Sequence, residues 1–435
     1  MMNGYDRVEQ NGYNDGNYGG FVGGAKIKVI GVGGAGNNAV NRLIESGLQG
    51  AEFIVVNTDI QDLARSKART RIQIGAELTK GLGAGADPNV GKKAAEADAE
   101  AIKAALRDTD LLFIAAGMGG GTGTGAAPVV AKIAQEMEIL TVAAITLPFA
   151  FEARLRMTNA LTGVEELKKH VDSLITIPND KISQVVPKGT SLEEAFKVAD
   201  EVLRQGIRGI AELIIKPSLI NLDFADVRTT LKGRGLAHMG IGVAKGEKRI
   251  YEAVRCAVCS PLLNTTIEGA HAVIINIIGG TNLGLDEVTT AANLVKDVID
   301  YSANVIFGAC IDESMGDEVE IVIIATGFGG SPKGFTMDSQ NEALRQASVL
   351  SQKLDYSYNN RDAADMMKPT GAYTQPMQTG YIPPYSNEYP TQPAPVKPMA
   401  AFEPDDPIPE ASSDRKHRPH FVDFFMRKNS SNDEK

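Results

Sequence analysis

The chain is poor in the features that mark whole classes of proteins. Its 435 residues hold three cysteines, Cys256, Cys259 and Cys310, too few for the paired frameworks of an oxidising compartment. No apolar run approaches the roughly 20 residues of a bilayer span. The opening MMNGYDRVEQNGYNDGNYGGFVGG has neither the charged nor the apolar region of a signal peptide. Basic residues are outnumbered, 44 to 54, for a net charge of -10, which argues against nucleic acid as a partner and against a polybasic membrane anchor. No Ser-His or Cys-His system suggests nucleophilic catalysis, and the five histidines form no metal-ligand cluster. The Cys-x-x-Cys spacing in YEAVRCAVCSPLL has no second ligand pair and is read as two small core residues on an amphipathic helix. What remains is the expectation of a cytoplasmic globular protein, not inserted in a membrane, whose 43% hydrophobic content supports two domains with their own cores.

Glycine, by contrast, is concentrated where a strand should meet a helix. In AAGMGGGTGTGAAP, five of the seven residues from Gly119 to Gly125 are glycine and the other two are Thr122 and Thr124. So much backbone freedom is destabilising unless the loop needs unusual dihedrals or close approach to something. A buried strand, Leu111 to Ile114, precedes the loop, and a helix opened near Pro128 follows it. Such a turn presents free N–H groups and a positive helix end to phosphate. No lysine follows the last glycine, so it is not a Walker A loop, and on its own it is equally a tight packing turn. Two further glycine loops, Gly31 to Gly36 and Gly81 to Gly85, also follow strands. In an open parallel sheet, loops at the carboxyl ends of strands converge on one crevice. GVGGAG matches G-x-G-x-x-G, with Asp59 at the end of the next strand, so an NAD-dependent oxidoreductase is the natural rival. It has no evident use for the Gly-Thr array, whereas a triphosphate needs many donors.

Strands and helices alternate from Lys26: KIKVIGVGGAG and AEFIVVNTD flank the helix NNAVNRLIESGLQ, then come RIQIG, a helix from about Lys92 to Arg107, and the buried ILTVAAITLPF. Short links between alternating elements imply an α/β fold, a doubly wound, mostly parallel, Rossmann-like sheet. A long central helix, with a capping box from Ser191 to Glu194 and a stop at Pro217, joins it to a smaller α/β domain. There, NVIFGACID and EVEIVIIATGF look like a hairpin pair around a Met-Gly-Asp turn. The expected organisation is a disordered extension (1–25), a first domain (26–190), the connecting helix (191–217), a second domain (218–330), a flexible linker (331–415) and a docking peptide (416–435). Twelve of the twenty prolines lie between Pro369 and Pro419, and Phe421, Phe424 and Phe425 share one helical face beyond them.

Two constellations bear on chemistry. Phe196 and Asp200, four apart on the long helix, share a face on which a ring could stack on a purine and a carboxylate accept from the N1–H and N2 donors of guanine. Spacing alone equally fits a core Phe and a solvated Asp. In NLDFADVRTTLKG, Asn221, Asp223 and Asp226 cluster before a helix. Either carboxylate could simply cap it, or together they could orient a water for attack on phosphorus.

With GGGTGTG, NLDFADVRT and FEARLR all present, the chain resembles the FtsZ family of bacterial tubulin-like division proteins from Lys26 to Phe328, with a tail arranged in the same way. The resemblance implies a GTPase that polymerises head to tail into the cytokinetic ring at midcell, using GTP/GDP and Mg²⁺. By motif, Gly33, Gly34, Ala35, Gly36, Asn37 and Asn38 would hold phosphates with Gly120, Gly121, Thr122, Gly123 and Thr124; Ala84, Gly85 and Ala86 would line the same site. Glu152 and Arg156 would take the ribose side, Asn179, Phe196 and Asp200 the guanine, and Asn57 and Asp59 the pocket wall. Asp223, Asp226 and Asn221 would serve catalysis on the next subunit's nucleotide. The terminal peptide would dock division and membrane-tethering proteins. Ala153 stands where the family usually has glycine, Asp87 where asparagine is common, and FVDFFMRK only approximates the family's terminal peptide. A nucleotide-binding structural protein with degraded catalysis is a third reading, against which the intact Asp223 and Asp226 speak.

Overall fold

The computed structural model describes residues 24–215, 218–220, 222–260, 267, 269–328, 349–355 and 358 of the chain, without the side chains of 184 and 185. The first half runs β1 (Ile27–Val32), α1 (Gly33–Glu45), β2 (Ala51–Asn57), α2 (Ile60–Arg65), β3 (Thr70–Gln73), α3 (Ala76–Thr79), α4 (Pro88–Ala97), α5 (Ala99–Ala105), β4 (Leu111–Gly117), α6 (Thr122–Glu136) and β5 (Leu140–Leu147). After a 3₁₀ turn at Ala150–Glu152 come α7 (Arg154–Lys168), β6 (Ser173–Pro178), α8 (Asn179–Val185) and α9 (Leu192–Ile215). The second half holds α10 (Phe224–Leu231), β7 (Gly235–Lys245), α11 (Arg249–Val258), β8 (Ala272–Gly279), α12 (Leu285–Lys296), β9 (Asn304–Ile311) and β10 (Glu318–Thr326).

Among the described residues, ten strands join one sheet in the order β3-β2-β1-β4-β5-β6-β7-β10-β8-β9. β1 to β7 run parallel and β10 alone opposes its neighbours. The hydrophobicity of β1 explains its place: Val29 packs with α1 and α9 on one face, Ile30 with α4 to α7 on the other, so every residue of the strand but the half-buried Lys28 is buried whichever way it points. α9 packs in the same cluster as strands of both halves, Ile177 of β6 and Ile274 of β8, and so seals one face across the two.

Four local features differ from the sequence expectation. β9 and β10 are not a hairpin: β8, all eight residues buried, lies between them and pairs with both. A strand so apolar needs a partner on each edge. The helix expected from Lys92 to Arg107 breaks at Asp98, whose carboxylate accepts from the Gly75 backbone N–H at 2.6 Å. α6 begins six residues before Pro128, at Thr122. Finally, within the span expected to be linker, residues 349–355 are helical, with Leu350 and Leu354 fully buried in the α11 and α12 cluster. Tyr251 donates to Asp355 and Arg255 Nε to Ser351 Oγ at 3.0 Å, which fastens this segment to α11.

Candidate functional site

The three glycine loops meet because their glycines let one backbone lie against another. A Cβ on Gly36 would overlap Ala115 O, one on Gly123 would overlap Gly117 O, and one on Gly91, in α4 just after the second loop, would overlap Gly121 O. Gly33 takes a left-handed φ of 71° with Gly123 N 2.8 Å from where its Cβ would be. These glycines are spent on packing. Gly34, Gly85 and Gly120 are not: a Cβ on Gly120 or Gly85 would meet nothing within 4 Å, and one on Gly34 only Asp62 Oδ2 at 3.4 Å. Gly120 does not have the positive φ that would favour glycine either. The fold therefore gives no reason for Gly120, and a ligand approaching the backbone does.

Several predicted side chains turn out to hold the loops from beneath. In the orientation that satisfies its neighbours, the Asn37 amide donates to Gly31 O and Gly33 O, both at 3.1 Å, and accepts from Asn57 Nδ2 at 3.2 Å. Asn57 also donates to Asp62 Oδ2 at 3.3 Å. Thr124 Oγ1 accepts from the Gly119 backbone N–H at 2.7 Å. Asp59 caps α2, accepting from Gln61 N at 2.8 Å and Asp62 N at 3.4 Å. Thr122 Oγ1 lies 2.6 Å from Thr58 Oγ1. Gly34, Asn38, Gly85 and Ala86 are exposed, while Ala35, Gly120 and Thr122 are half-buried. Those residues, with the backbone amides at the starts of α1 and α6, form the open surface of a ready anion site. Ala84 and Gly121 are buried against one another.

A second cluster borders this surface. Phe149, just past the C-terminal end of β5, makes an edge contact with Phe196 near the start of α9, ring centroids 5.3 Å apart. Asp200, one turn on, receives Arg42 Nε of α1 at 3.4 Å. Burial pushes the Asp200 carboxyl up to about 6, against the pull of Arg42. Asn179 is buried at the start of α8 and its Oδ1 is an orphaned acceptor with no hydrogen-bond partner; the next residue, Asp180, accepts from the Ala150 N–H at 2.8 Å, beside Phe149. Glu152 Oε1 accepts from the Phe149 backbone N–H at 2.8 Å, and its Oε2 lies 3.0 Å from Arg156 Nε. The Arg156 stem in turn packs on Gly119. Ala153 sits between them at φ 84° and ψ 149°, a region that only glycine enters without strain.

Asp223 and Asp226 lie elsewhere. α9 starts beside the glycine loops, through the Phe149 and Arg42 contacts, and ends where Ile215 abuts Gly50, ahead of the first residue of β2. It spans the sheet from its carboxyl edge to its amino edge: 24 residues, about 36 Å at 1.5 Å per residue. Past that far end α10 begins, and Leu231 O, at its close, accepts from Ser173 Oγ at the first residue of β6. Asp223 occupies the N-cap position of α10, yet its side chain makes no capping bond. Both carboxylates are exposed. Within one chain they cannot reach a ligand on the glycine loops. Asn221 lies outside the described residues, as do residues 1–23 of the N-terminal extension and the terminal peptide.

The sequence pattern does not single out Thr58, Asp62, Arg42 or Phe149, although the fold brings all four to this site. Thr58 lies between two residues that the motifs include. Arg42 meets Asp200 across 158 positions, and no local signal announces that. Cys256 on α11 and Cys259 just past its end are half-buried, and burial raises both thiols, Cys259 to about 11. Among the described residues no three His, Cys, Asp or Glu side chains group as metal ligands, and no helix is long and apolar enough to cross a membrane.

Residues 26–187 match the Tubulin/FtsZ family, GTPase domain, and residues 235–329 the FtsZ family, C-terminal domain. Among solved structures, the chain is similar to an empty FtsZ dimer from M. jannaschii, at 48% identity and a TM-score of 0.68, covering 70% of this chain and 89% of that one. A mutant form of the M. jannaschii protein gives the same identity and score over 92% of its length. CetZ2 from Haloferax volcanii, in a GTPgS-bound protofilament, is 24% identical with a TM-score of 0.62, covering 75% of this chain and 99% of that one. That last likeness speaks for the fold alone. The matched GTPase domain overturns the dinucleotide oxidoreductase reading of GVGGAG.

Proposed function

Since the chain belongs to the tubulin/FtsZ family and carries its GTPase domain, we propose that it is a filament-forming cytoskeletal GTPase of bacterial cell division, whose subunits complete each other's active sites. It binds GTP and GDP and hydrolyses GTP to GDP and phosphate. One observation carries the proposal: the glycine loops and the exposed, uncapped Asp223 and Asp226 lie at opposite ends of α9. A contact that joins the two ends of identical chains is heterologous and does not close on itself, so it generates a filament.

In that arrangement the amides around Gly34, Gly120 and Thr122 hold the β- and γ-phosphates of one subunit. Asp223 and Asp226 of the next accept hydrogen bonds from a water and orient its oxygen at the γ-phosphorus, opposite the bridging oxygen that leaves with GDP. Mg²⁺ fits this site as an ion held mainly by phosphate oxygens and its own waters. No three-carboxylate cage exists among the described residues, and of the two hydroxyls paired beside the loop Thr58 is fully buried, so Thr122, half-buried, is the one that would reach such an ion. Bound there, Mg²⁺ neutralises charge that would otherwise repel the carboxylates. Phe196, Asp200 and Asn179 take the guanine, Glu152 and Arg156 the ribose side. The chain works in the cytoplasm at the midcell ring, and its terminal peptide, 416–435, docks division and membrane-tethering proteins.

The test is phosphate release with Mg²⁺ and GTP across protein concentration while light scattering follows assembly. Specific activity should appear only above a critical concentration and vanish in Asp223→Ala. Activity independent of concentration would mean that each chain holds a complete site, and the shared-site reading would fall.

A further inference from the structure

Three phenylalanines border the proposed base site, and only one of them has a role so far. Phe149 is 6% exposed, Phe196 38% and Phe151 64%. The Phe149 ring meets Phe196 edge to face, at 5.3 Å and 88°, and stacks on Phe151 at 5.1 Å and 18°. Its backbone is pinned on both sides. The Phe149 N–H donates to Glu152 Oε1 at 2.8 Å, and the Ala150 N–H donates to Asp180 Oδ1 at 2.8 Å, next to the orphaned Asn179 acceptor. The strained Ala153 closes the same turn. Phe149 is thus a fixed ring and Phe196 a half-exposed one leaning on it.

We propose that Phe149 is a positioning residue for purine recognition, its ring holding Phe196 in the orientation in which the open side of Phe196 stacks on the base. This rests on the reading that Phe196 stacks on the base. A Phe on the first turns of a helix otherwise spreads over its rotamers, and binding would have to fix it. Edge-to-face contact with a buried ring fixes it beforehand, since aromatic quadrupoles favour that geometry over loose packing. The consequences are specific. Phe149 touches no reacting atom, so its loss weakens binding and leaves the chemical step alone. Stacking does not read the groups on a purine's edge, so bases with and without the 2-amino group lose affinity by the same factor.

The experiment measures GDP and IDP affinity of the full, unassembled protein by calorimetry, and kcat at saturating GTP, for Phe149→Leu, Phe149→Tyr, Phe196→Leu and the parent chain. Phe149→Leu should weaken GDP and IDP equally, by about 3- to 10-fold, the size of one aromatic pair contact. kcat should stay within about twofold of the parent, and Phe149→Tyr, which keeps the ring, should bind as the parent does. Unchanged affinity in Phe149→Leu, with clear loss in Phe196→Leu, overturns the positioning role and leaves the base contact standing. No loss in Phe196→Leu overturns the underlying reading itself. Unequal loss for GDP and IDP, or a fall in kcat without a fall in affinity, assigns Phe149 another task. Should Phe149→Leu not fold, Phe149→Met carries the same comparison, with thermal unfolding of each variant as the check.

Discussion

Replacing Gly120 by valine separates what the fold needs from what the nucleotide needs. A Cβ there would have no protein atom within 4 Å and no positive φ to strain against, so stability should stay within the roughly 0.5 kcal/mol typical of neutral surface changes. Gly36 is the control: its Cβ would overlap Ala115 O, inside the backbone contact between two loops, and Gly36→Ala should cost about 1–3 kcal/mol or more. If phosphates lie on the amides beside Gly120, valine pushes them off by a similar overpacking cost, about ten- to hundredfold in GTP affinity. The variant then supplies an intact Asp223 and Asp226 but no nucleotide. Asp223→Asn supplies the nucleotide but not the carboxylate. Neither should turn over GTP alone. Mixed in equal amounts and co-assembled at a GTP concentration that fills the Asp223→Asn site but not the weakened Gly120→Val site, about one interface in four should pair a sound nucleotide end with a sound carboxylate end. Phosphate release should therefore recover to about a quarter of the parent rate. No recovery, with scattering showing that both chains enter the same filaments, would refute the shared site. Parent-like affinity in Gly120→Val would refute the assignment of the loop.

Ala153→Gly should stabilise the chain. Relief of about 1–3 kcal/mol of strain at φ 84°, ψ 149° exceeds the roughly 0.5–1 kcal/mol entropic cost of glycine, so thermal unfolding should shift upward by a few degrees, and a downward shift would show that the turn is not strained. Asp200 should make guanine binding pH-dependent: its carboxyl, raised from 3.8 to about 6 by burial, must be ionised to accept from guanine, so GDP affinity should fall as pH drops through about 6. The same raised value means the folded chain binds the proton more readily than the unfolded one, so this group's contribution to the stability of the nucleotide-free protein should rise as pH falls from about 6 towards 4. Calorimetry and unfolding from about pH 7.5 to 5, the range over which a group near 6 titrates, would measure both, and Asp200→Asn should abolish the first trend.

What can be read from the sequence, and what cannot, follows the range of the interactions concerned. β1, β4, β5 and the glycine loops announce themselves through contiguous apolar runs and local dihedral demands, and α9 through its period. The role of each glycine does not, because Gly36 and Gly120 look alike until Ala115 O is known to press on one and nothing on the other. The β9 and β10 pair reads as a hairpin for the same reason: the turn between them is local, but β8, which comes between them in the sheet, is supplied from earlier in the chain. Asn37, Asn57 and Thr124 carry polar groups suited to phosphate, and the fold spends those groups on its own loops. Asp223 is the opposite case, a residue in a capping position whose carboxylate caps nothing. A polar side chain left unused by its own helix, at the end of the molecule farthest from the loops that could hold its substrate, makes sense when the partner it serves is another copy of the same chain. That inference needs both the local pattern of NLDFADVRT and the length of α9, and neither alone would carry it.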